Sequence, residues 1–570
     1  MMEDHRRDAI YDKGVKSHQM QREKKSGIIR EKGKGGERVY KANSAQQMSI
    51  YDSYQKMPEH IKKLIDKSWA KDFAEYIFPR INEERFSVLF SETGSRPNTP
   101  VNVIVGSLML KEYFGQSEEE LLMSIYCNVL YQYALHLTQM EKPPLSDRSW
   151  SRFRARVLEY EETYGRDLMK EEMESLARVI AEHMGLKGEV KRMDSMMVAS
   201  RCKRMGRLEI LYAVNERAVH LLNRLGICEY IPKDCMHYLE KDDRNDVIYR
   251  RRGAEAEGQL AKAIKEGLEL QKVLEETGLT DKEEYKLLHR AIDDQTETDE
   301  NGKHVARDKR KISPTSLQNP SDPDATFRRK AGENYTGYVG NIVETVCESG
   351  LGVVTTMDFE QNTYSDSQFL KDYLEQRSED AAPEIMLTDG AYGGQDNVNE
   401  AKAKGVDLVT TCLSGQAPDI VMGEFKLSED GTEVISCPMG HSPEKSTYKE
   451  RDSMCRAKFP RCCCENCPYR DLCHAKEQKN SFVVYVSSKT IDRALLLKRL
   501  STEECRQLTR LRNGVECRPS LLRRKMDLDR MPVFGYIRSK IFFMLKTGAS
   551  NLIALFCYQK RARAKSALFA

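Results

Sequence analysis

The 570 residues, 40% hydrophobic and 31% charged, are typical of a soluble globular protein with several domains. No run approaches the roughly 18 apolar residues of a membrane span, and no apolar core follows the charged N-terminus, so neither a membrane segment nor a secretory signal is expected. The 16 cysteines are therefore expected as thiols in a cytoplasmic protein rather than as disulfides.

The N-terminal part predicts a tail followed by a helical domain. Residues 1–45 are charged and poor in apolar side chains, which predicts a disordered tail. From 46 to 185 apolar residues recur at helical spacing, and Ser117, with a glutamate three residues later, is a typical helix start. A later helix carries Arg152 and Arg154. This pattern fits a DNA-binding helical module, and it fits an ordinary helical packing domain as well.

A second domain is predicted over residues 186–556, because the apolar period changes near Gly188. A strand is followed by a helical insertion at about 205–310, and strands then alternate with helices. This order predicts the α/β class, with a mixed sheet that has helices on its faces. Residues 557–570 are expected to form a basic tail.

Three carboxylates are candidates for chemistry in this domain. Asp194 lies in the first predicted strand, Asp389 follows a later one, and Glu516 lies among basic residues. Singly, each has an ordinary explanation as a turn residue or as a surface ion pair. If they converge, three hard oxygen donors can hold two divalent ions, Mg²⁺ or Mn²⁺, for phosphodiester chemistry.

Positive charge is concentrated at the C-terminal end. Residues 501–570 contain 15 Lys/Arg against 5 Asp/Glu, a balance of +10, although the whole chain has a net charge of only +3. The candidates for phosphate contacts near Glu516 are Arg512, Arg523, Arg524 and Lys525. This asymmetry favours a polyanionic partner, and a solvated helix face is the alternative explanation.

Four motifs in chain order resemble the DDE transposases of bacterial insertion sequences. The resemblance extends from about residue 60 to 555, and the motifs are Arg192-Met193-Asp194-Ser195, Ser321-Asp322-Pro323-Asp324-Ala325, Leu387-Thr388-Asp389-Gly390-Ala391-Tyr392 and Arg512-Asn513-Gly514-Val515-Glu516. The segment around Arg152 and Arg154 is also similar to the helical domain that precedes the catalytic domain in many of these proteins.

The resemblance implies an RNase H-like catalytic domain with Asp194, Asp389 and Glu516 as its metal-binding residues. It implies hydrolysis at the transposon end to free a 3′-hydroxyl, which then attacks another phosphodiester. Arg512 and Arg523 would contact phosphate. The implied partners are terminal inverted repeats and target DNA, bound by a homo-oligomer in the bacterial cytoplasm at the nucleoid, with no membrane partner.

Two departures from the family pattern bear on activity. Thr509 stands where a tyrosine often precedes the motif arginine, and Pro519 follows Glu516 by three residues. A proline is tolerated only near the start of a helix, so Arg512 and Glu516 are not expected to share one regular helical face. A catalytically inactive, domesticated DNA-binding protein is therefore an alternative, and an RNase H-like repair or restriction nuclease is a third.

A cysteine cluster falls within the segment at about 430–480. Cys464, Cys467 and Cys473 have the spacing of zinc ligands, and Cys437 offers a fourth thiolate. This predicts a small zinc-ribbon-like insertion with a structural Zn²⁺. Possible substitute ligands are His441, His474, Cys455, Cys462 and Cys463, and free cysteines in a small apolar pocket are the alternative.

Overall fold

The fold is described from a computed structural model. The structure describes residues 38–43, 53–91, 96–137, 145–146, 148–250, 254–300, 302–330, 332–410 and 417–568. Residues 1–37 of the predicted tail lie outside these ranges. Arg38–Val39 forms a short strand (β1) that pairs in parallel with Arg96–Pro97 (β2). The prediction of a disordered tail is wrong for this stretch, because backbone hydrogen bonds to a second segment order it.

The N-terminal part is helical, as its apolar spacing predicts. Its helices are α1 (Glu59–Asp66), α2 (Trp69–Tyr76), α3 (Val101–Phe114), α4 (Glu118–Cys127), α5 (Val129–Ala134), α6 (Ser149–Tyr164) and α7 (Leu168–His183), and its 3₁₀ turns are Ser53–Lys56, Phe78–Arg80 and Glu83–Leu89. The predicted helix start at Ser117 is confirmed. Its side chain accepts a hydrogen bond from the backbone of Glu120, whose carboxylate accepts one from the backbone of Ser117.

The central sheet begins with β3 (Val190–Ala199) and contains six strands. Its other strands are β6 (Thr326–Lys330), β7 (Glu333–Val346), β8 (Gly352–Gln361), β9 (Glu384–Thr388) and β10 (Val406–Thr410). The strand order is β10-β9-β3-β7-β6, and β8 also pairs with β7. β9 is parallel to both β3 and β10, whereas β7 is antiparallel to β3, β6 and β8. The predicted mixed α/β sheet is thus confirmed.

A helical body with its own apolar core separates β3 from β6. It contains α8 (Arg207–Arg224), α9 (Asp243–Ile248), α10 (Ala254–Glu276), α11 (Glu283–Gln295), a hairpin of β4 (Thr296–Thr298) with β5 (His304–Ala306), and 3₁₀ turns at Cys228–Tyr230, Lys233–Leu239 and Lys309–Lys311. Its core includes Leu211, Leu222 and Leu288, all fully buried. This body occupies the span that the sequence assigns to a helical insertion.

Both faces of the sheet are covered by helices. α12 (Asp366–Gln376) and α13 (Gln395–Ala403) cover the face that carries Met193, and Phe369 packs there. The opposite face, which carries Met196, packs against α18 (Tyr536–Leu568) and the N-terminal helices. Because side chains alternate along a strand, Asp194 points to the same face as Met196. The first carboxylate therefore faces the C-terminal helices.

The cysteine-bearing segment folds as a small antiparallel unit between β10 and the last helices. A pair of short strands, β11 (Lys426–Leu427) and β12 (Val434–Ser436), adjoins a four-stranded sheet of β13 (Lys445–Lys449), β14 (Met454–Pro460), β16 (Ser481–Val486) and β15 (Lys476–Gln478), with a short helix α14 (Arg461–Cys464) and 3₁₀ turns at Ile420–Glu424 and Glu450–Asp452. Fully buried Phe459 and Val486 belong to its core.

The chain ends in α15 (Ser488–Leu500), α16 (Glu503–Asn513), α17 (Cys517–Arg524), a 3₁₀ turn at Leu528–Arg530 and α18. α18 continues through Leu568, so the prediction of a separate basic tail from residue 557 is wrong, because no proline or glycine interrupts the helix there. Tyr536–Lys565 is long and apolar enough to span a membrane, contrary to expectation, but 78% of its apolar window is buried inside the protein. The helix packs within the largest described apolar core, together with the N-terminal helices.

Candidate active site

The pairing of β3 with β9 brings the first two predicted carboxylates to one place. The strands are parallel, and Arg192 is paired with Leu387. Extending this register by two residues puts Asp194 level with Asp389, which follows the last residue of β9. Two carboxylates that are 195 positions apart in sequence thus lie side by side at the carboxyl end of β9.

The third carboxylate reaches this place from a helix junction. α16 ends at Asn513, a single 3₁₀ turn covers Gly514–Glu516, and α17 begins at Cys517. Pro519 is therefore the third residue of α17, where its missing N–H has no cost to helical hydrogen bonding. Arg512 and Glu516 thus do not share one regular helix, as expected, yet Glu516 lies 3.5 Å from Nη1 of Arg512.

The guanidinium of Arg512 lies between all three carboxylates. Its Nη2 is 4.0 Å from both Asp194 and Asp389, and its Nη1 faces Glu516. The Arg512 Nε is buried and has no hydrogen-bond partner among the described residues. The arginine predicted to bind phosphate thus acts here as a monovalent counter-ion to three acids.

The three acids differ in how far their side chains are exposed to solvent. The side chain of Asp194 is 13% exposed, that of Asp389 30% and that of Glu516 65%. The pKa of Asp194 is raised to about 6: burial is the largest cause, the charges of Glu516 and Asp389 contribute to the rise, and Arg512 opposes it. Burial therefore opposes ionisation of Asp194.

The three acids differ from a preformed metal site in geometry but not in chemistry. No group of three or more His, Cys, Asp or Glu side chains among the residues described is arranged to hold a metal ion in this conformation. The donor chemistry nevertheless fits a hard divalent cation, because three carboxylates surround one guanidinium and the most buried of them has a raised pKa. In this conformation the guanidinium of Arg512 lies where the three acids meet.

Sequence reasoning missed two polar groups that support the site. The Oγ of Ser195 donates a hydrogen bond of 2.7 Å to buried Asp366 of α12. Fully buried Tyr392, from the motif of Asp389, donates one of 3.0 Å to Asn341 on β7. Burial beside acidic groups holds the pKa of Tyr392 well above its ordinary value, so it remains a donor. Both pairs join segments far apart in sequence, and no local spacing predicts them.

The predicted DNA-contacting residues differ in the intramolecular contacts that their side chains make. Arg524 and Arg152 are exposed. Arg523 donates a hydrogen bond of 3.0 Å to the carbonyl of Met197, and the ammonium of Lys525 lies 4.4 Å from the ring centre of Tyr113.

Arg154, in contrast, is engaged within the helical domain. It forms an ion pair with Glu118 and lies 5.5 Å from the ring centre of Phe542. Its intramolecular partners make it a weaker candidate for a phosphate contact than the exposed Arg152.

The four predicted zinc ligands line one small cavity. Cys437, Cys464, Cys467 and Cys473 surround a space of about 20 Å³, and Cys463 lines it as well. Of the possible substitutes, Cys455 donates to the carbonyl of Gly431, and His474 lies 3.1 Å from Asp419. The four thiols line the same cavity, but no group of the described side chains is arranged to hold a metal ion. The zinc prediction therefore lacks structural support. Every cysteine in the described ranges is a free thiol.

Comparison with known proteins gives two matches to protein families. Residues 436–556 match the family described as "Transposase DDE domain", and residues 55–156 match "Transposase domain (DUF772)". The first range includes Glu516, whereas Asp194 and Asp389 lie outside both. Neither the curated proteins nor the solved structures gave a significant match. The two matches lie in the order that the motifs predict, and together they support an insertion-sequence DDE transposase.

Proposed function

We propose that this transposase cuts DNA at terminal inverted repeats and joins the freed 3′-hydroxyl to target DNA, with Asp194, Asp389 and Glu516 as catalytic ligands. The observation that carries the proposal is the convergence of the three acids on one guanidinium. A mixed sheet with one acid inside a strand and another at a strand end supports an RNase H-like assignment of this domain.

The three acids would hold Mg²⁺ or Mn²⁺, which supplies charge neutralisation at the phosphate and activation of the attacking oxygen. The chain's own contribution is a rigid platform for two of the acids. Asp194 lies within a paired strand and Asp389 directly follows one, so the sheet sets their separation. Glu516, the most exposed of the three, borders the solvent from which DNA arrives.

Arg512 has two successive roles in this proposal. Without a metal it balances the charge of the acids and opposes the rise in the pKa of Asp194. If the three acids held a divalent cation, the Arg512 side chain would no longer be needed as their counter-ion and would be available for a phosphate of bound DNA, which is the contact that the family resemblance implies. The buried Nε that lacks a partner among the described residues is consistent with a side chain that has a second position.

The inactive, domesticated alternative depended on displacement of Glu516 by Pro519. Pro519 instead lies at the start of α17, and Glu516 remains beside Arg512. The condition that would favour the inactive alternative, displacement of Glu516, therefore has no support, and we retain the enzyme proposal.

The deciding experiment uses the full chain and DNA carrying the ends of its own element. With Mg²⁺ or Mn²⁺, wild type is expected to cleave the ends and join them to a second duplex. Asp194→Asn, Asp389→Asn and Glu516→Gln should bind the same DNA and neither cut nor join. Cleavage retained by two or more of these variants would exclude the proposed triad, and DNA binding without cleavage by wild type would restore the inactive alternative.

A further inference from the structure

A buried group of three charged residues connects the strand of Asp194 to the segment of Glu516. Glu344 lies on β7 directly opposite Arg192 of β3 and is 1% exposed. Its Oε2 accepts a hydrogen bond of 2.7 Å from Nε of Arg192, and its Oε1 accepts one of 2.7 Å from Nε of Arg518. Arg192 precedes Asp194 by two residues, and Arg518 follows Glu516 by two. One carboxylate thus joins the neighbours of two catalytic acids.

The two arginines extend this connection to the backbone around the third motif. Nη1 of Arg192 donates a hydrogen bond of 2.6 Å to the carbonyl of Leu511, in the last turn of α16. Arg518 donates to the carbonyl of Gly352 on β8 and, at 3.1 Å, to that of Ser550 in α18. The backbone on both sides of Glu516 is therefore attached to the central sheet through buried charge-assisted hydrogen bonds.

Two glycines provide the space that this arrangement needs. A Cβ on Gly514 would lie 2.3 Å from Nη1 of Arg192, and one on Gly352 would lie 2.7 Å from Oε1 of Glu344. Gly514 has a φ of −63°, a value that any residue adopts, so its backbone conformation does not require glycine. Close approach of the guanidinium accounts for glycine at the centre of the Arg512–Glu516 motif.

Glu516 depends on this support more than the other acids do. Its side chain is 65% exposed, and Glu516 is in a single 3₁₀ turn rather than in a sheet strand. Its position therefore follows from the backbone on either side of it. Removing the charge of Glu344 would leave two guanidiniums, on residues that are 3% and 9% exposed, without their shared counter-ion.

We propose that Glu344 is a positioning residue for the third carboxylate: through Arg192 and Arg518 it holds the Glu516 segment at the distance from β3 that cation binding requires. This inference rests on the proposed function, because it assigns Glu344 a role in assembling that same site. Glu344 itself does not contact the metal or the DNA.

The test is Glu344→Gln in the full chain, which keeps the shape of the side chain and removes its charge. Mn²⁺ binding is measured by electron paramagnetic resonance without DNA, and the Mg²⁺ requirement of DNA cleavage is measured separately. Loss of a group that orients a metal ligand typically costs about 10- to 100-fold. Glu344→Gln is expected to weaken Mn²⁺ binding and to raise the half-saturating Mg²⁺ concentration by that factor, with DNA affinity unchanged within about twofold.

The matched control is Glu112→Gln. Glu112 is also a buried carboxylate between two cations, Lys111 and Lys546, but it lies on α3, in the N-terminal helical part of the protein. This variant should lower the unfolding temperature and leave Mn²⁺ binding unchanged. Equal losses of stability in both variants, with wild-type Mn²⁺ binding in Glu344→Gln, would show that Glu344 is only structural and would overturn the proposal.

A second variant covers the case in which Glu344→Gln does not fold. Gly514→Ala keeps every charge and displaces only the guanidinium of Arg192, so it should weaken Mn²⁺ binding in the same direction. Gly206→Ala, where an added Cβ meets nothing within 4 Å, is its control. A folded Gly514→Ala with wild-type Mn²⁺ binding would refute the positioning role. Wild type that neither binds Mn²⁺ nor cleaves DNA would instead refute the proposed function itself.

Discussion

Asp194→Asn should stabilise the metal-free protein at neutral pH while abolishing its activity. The folded protein raises the pKa of Asp194 from 3.8 to about 6, chiefly by burial. Each pKa unit corresponds to about 1.4 kcal/mol, so the ionised carboxylate costs the folded state about 3 kcal/mol above pH 6. An amide has no charge to bury, and we expect the variant to gain about 1–3 kcal/mol at pH 8.

The pH dependence identifies the cause of this gain. Below about pH 3.8 Asp194 is protonated in both the folded and the unfolded chain and has no effect on stability. Between 3.8 and 6 the unfolded chain alone releases the proton, so the wild-type protein loses stability as the pH rises and the variant does not. Urea unfolding of both proteins at pH 4 and pH 8 measures the difference, with Asp380→Asn, at an exposed loop position, as control. A variant no more stable than wild type at pH 8 would refute the electrostatic argument.

Four further predictions concern other parts of the chain. Arg512→Ala removes the cation that lowers the pKa of Asp194, so in urea-unfolding measurements the metal-free variant should start to lose stability at the same pH as wild type but continue to lose it up to a higher pH. Arg524→Ala should weaken DNA binding and reduce its salt dependence by about one counter-ion in a filter-binding titration, since this side chain is exposed. Elemental analysis tests for bound zinc, and Cys464→Ser should reduce any zinc content and the unfolding temperature together if the thiols hold a metal. Gly340→Ala should cost about 1–3 kcal/mol in thermal unfolding, because the added Cβ would lie 2.4 Å from the ring of Phe543.

The parts of the fold that repeat a local pattern could be predicted from the sequence. The helix start at Ser117 follows from two residues three positions apart, and both hydrogen bonds are present. Asp194 and Asp389 could be matched as motifs, but their adjacency depends on which strands pair and in which register. The roles of Glu344 and Asp366 could not be predicted, because each accepts a hydrogen bond from a residue at least 150 positions away in sequence. Local sequence periodicity contains no information about such a pair.

The structure indicates that the three acids are held by two different means. Backbone pairing in the sheet sets the spacing of Asp194 and Asp389, and such hydrogen bonds do not depend on which side chains are present. Glu516 belongs to no strand, so its spacing depends on side chains, namely the buried contacts of Arg192, Glu344 and Arg518. Substitutions among these buried side chains should therefore disturb the third ligand before the other two. Metal affinity is expected to be lost through movement of Glu516 even where the sheet remains intact.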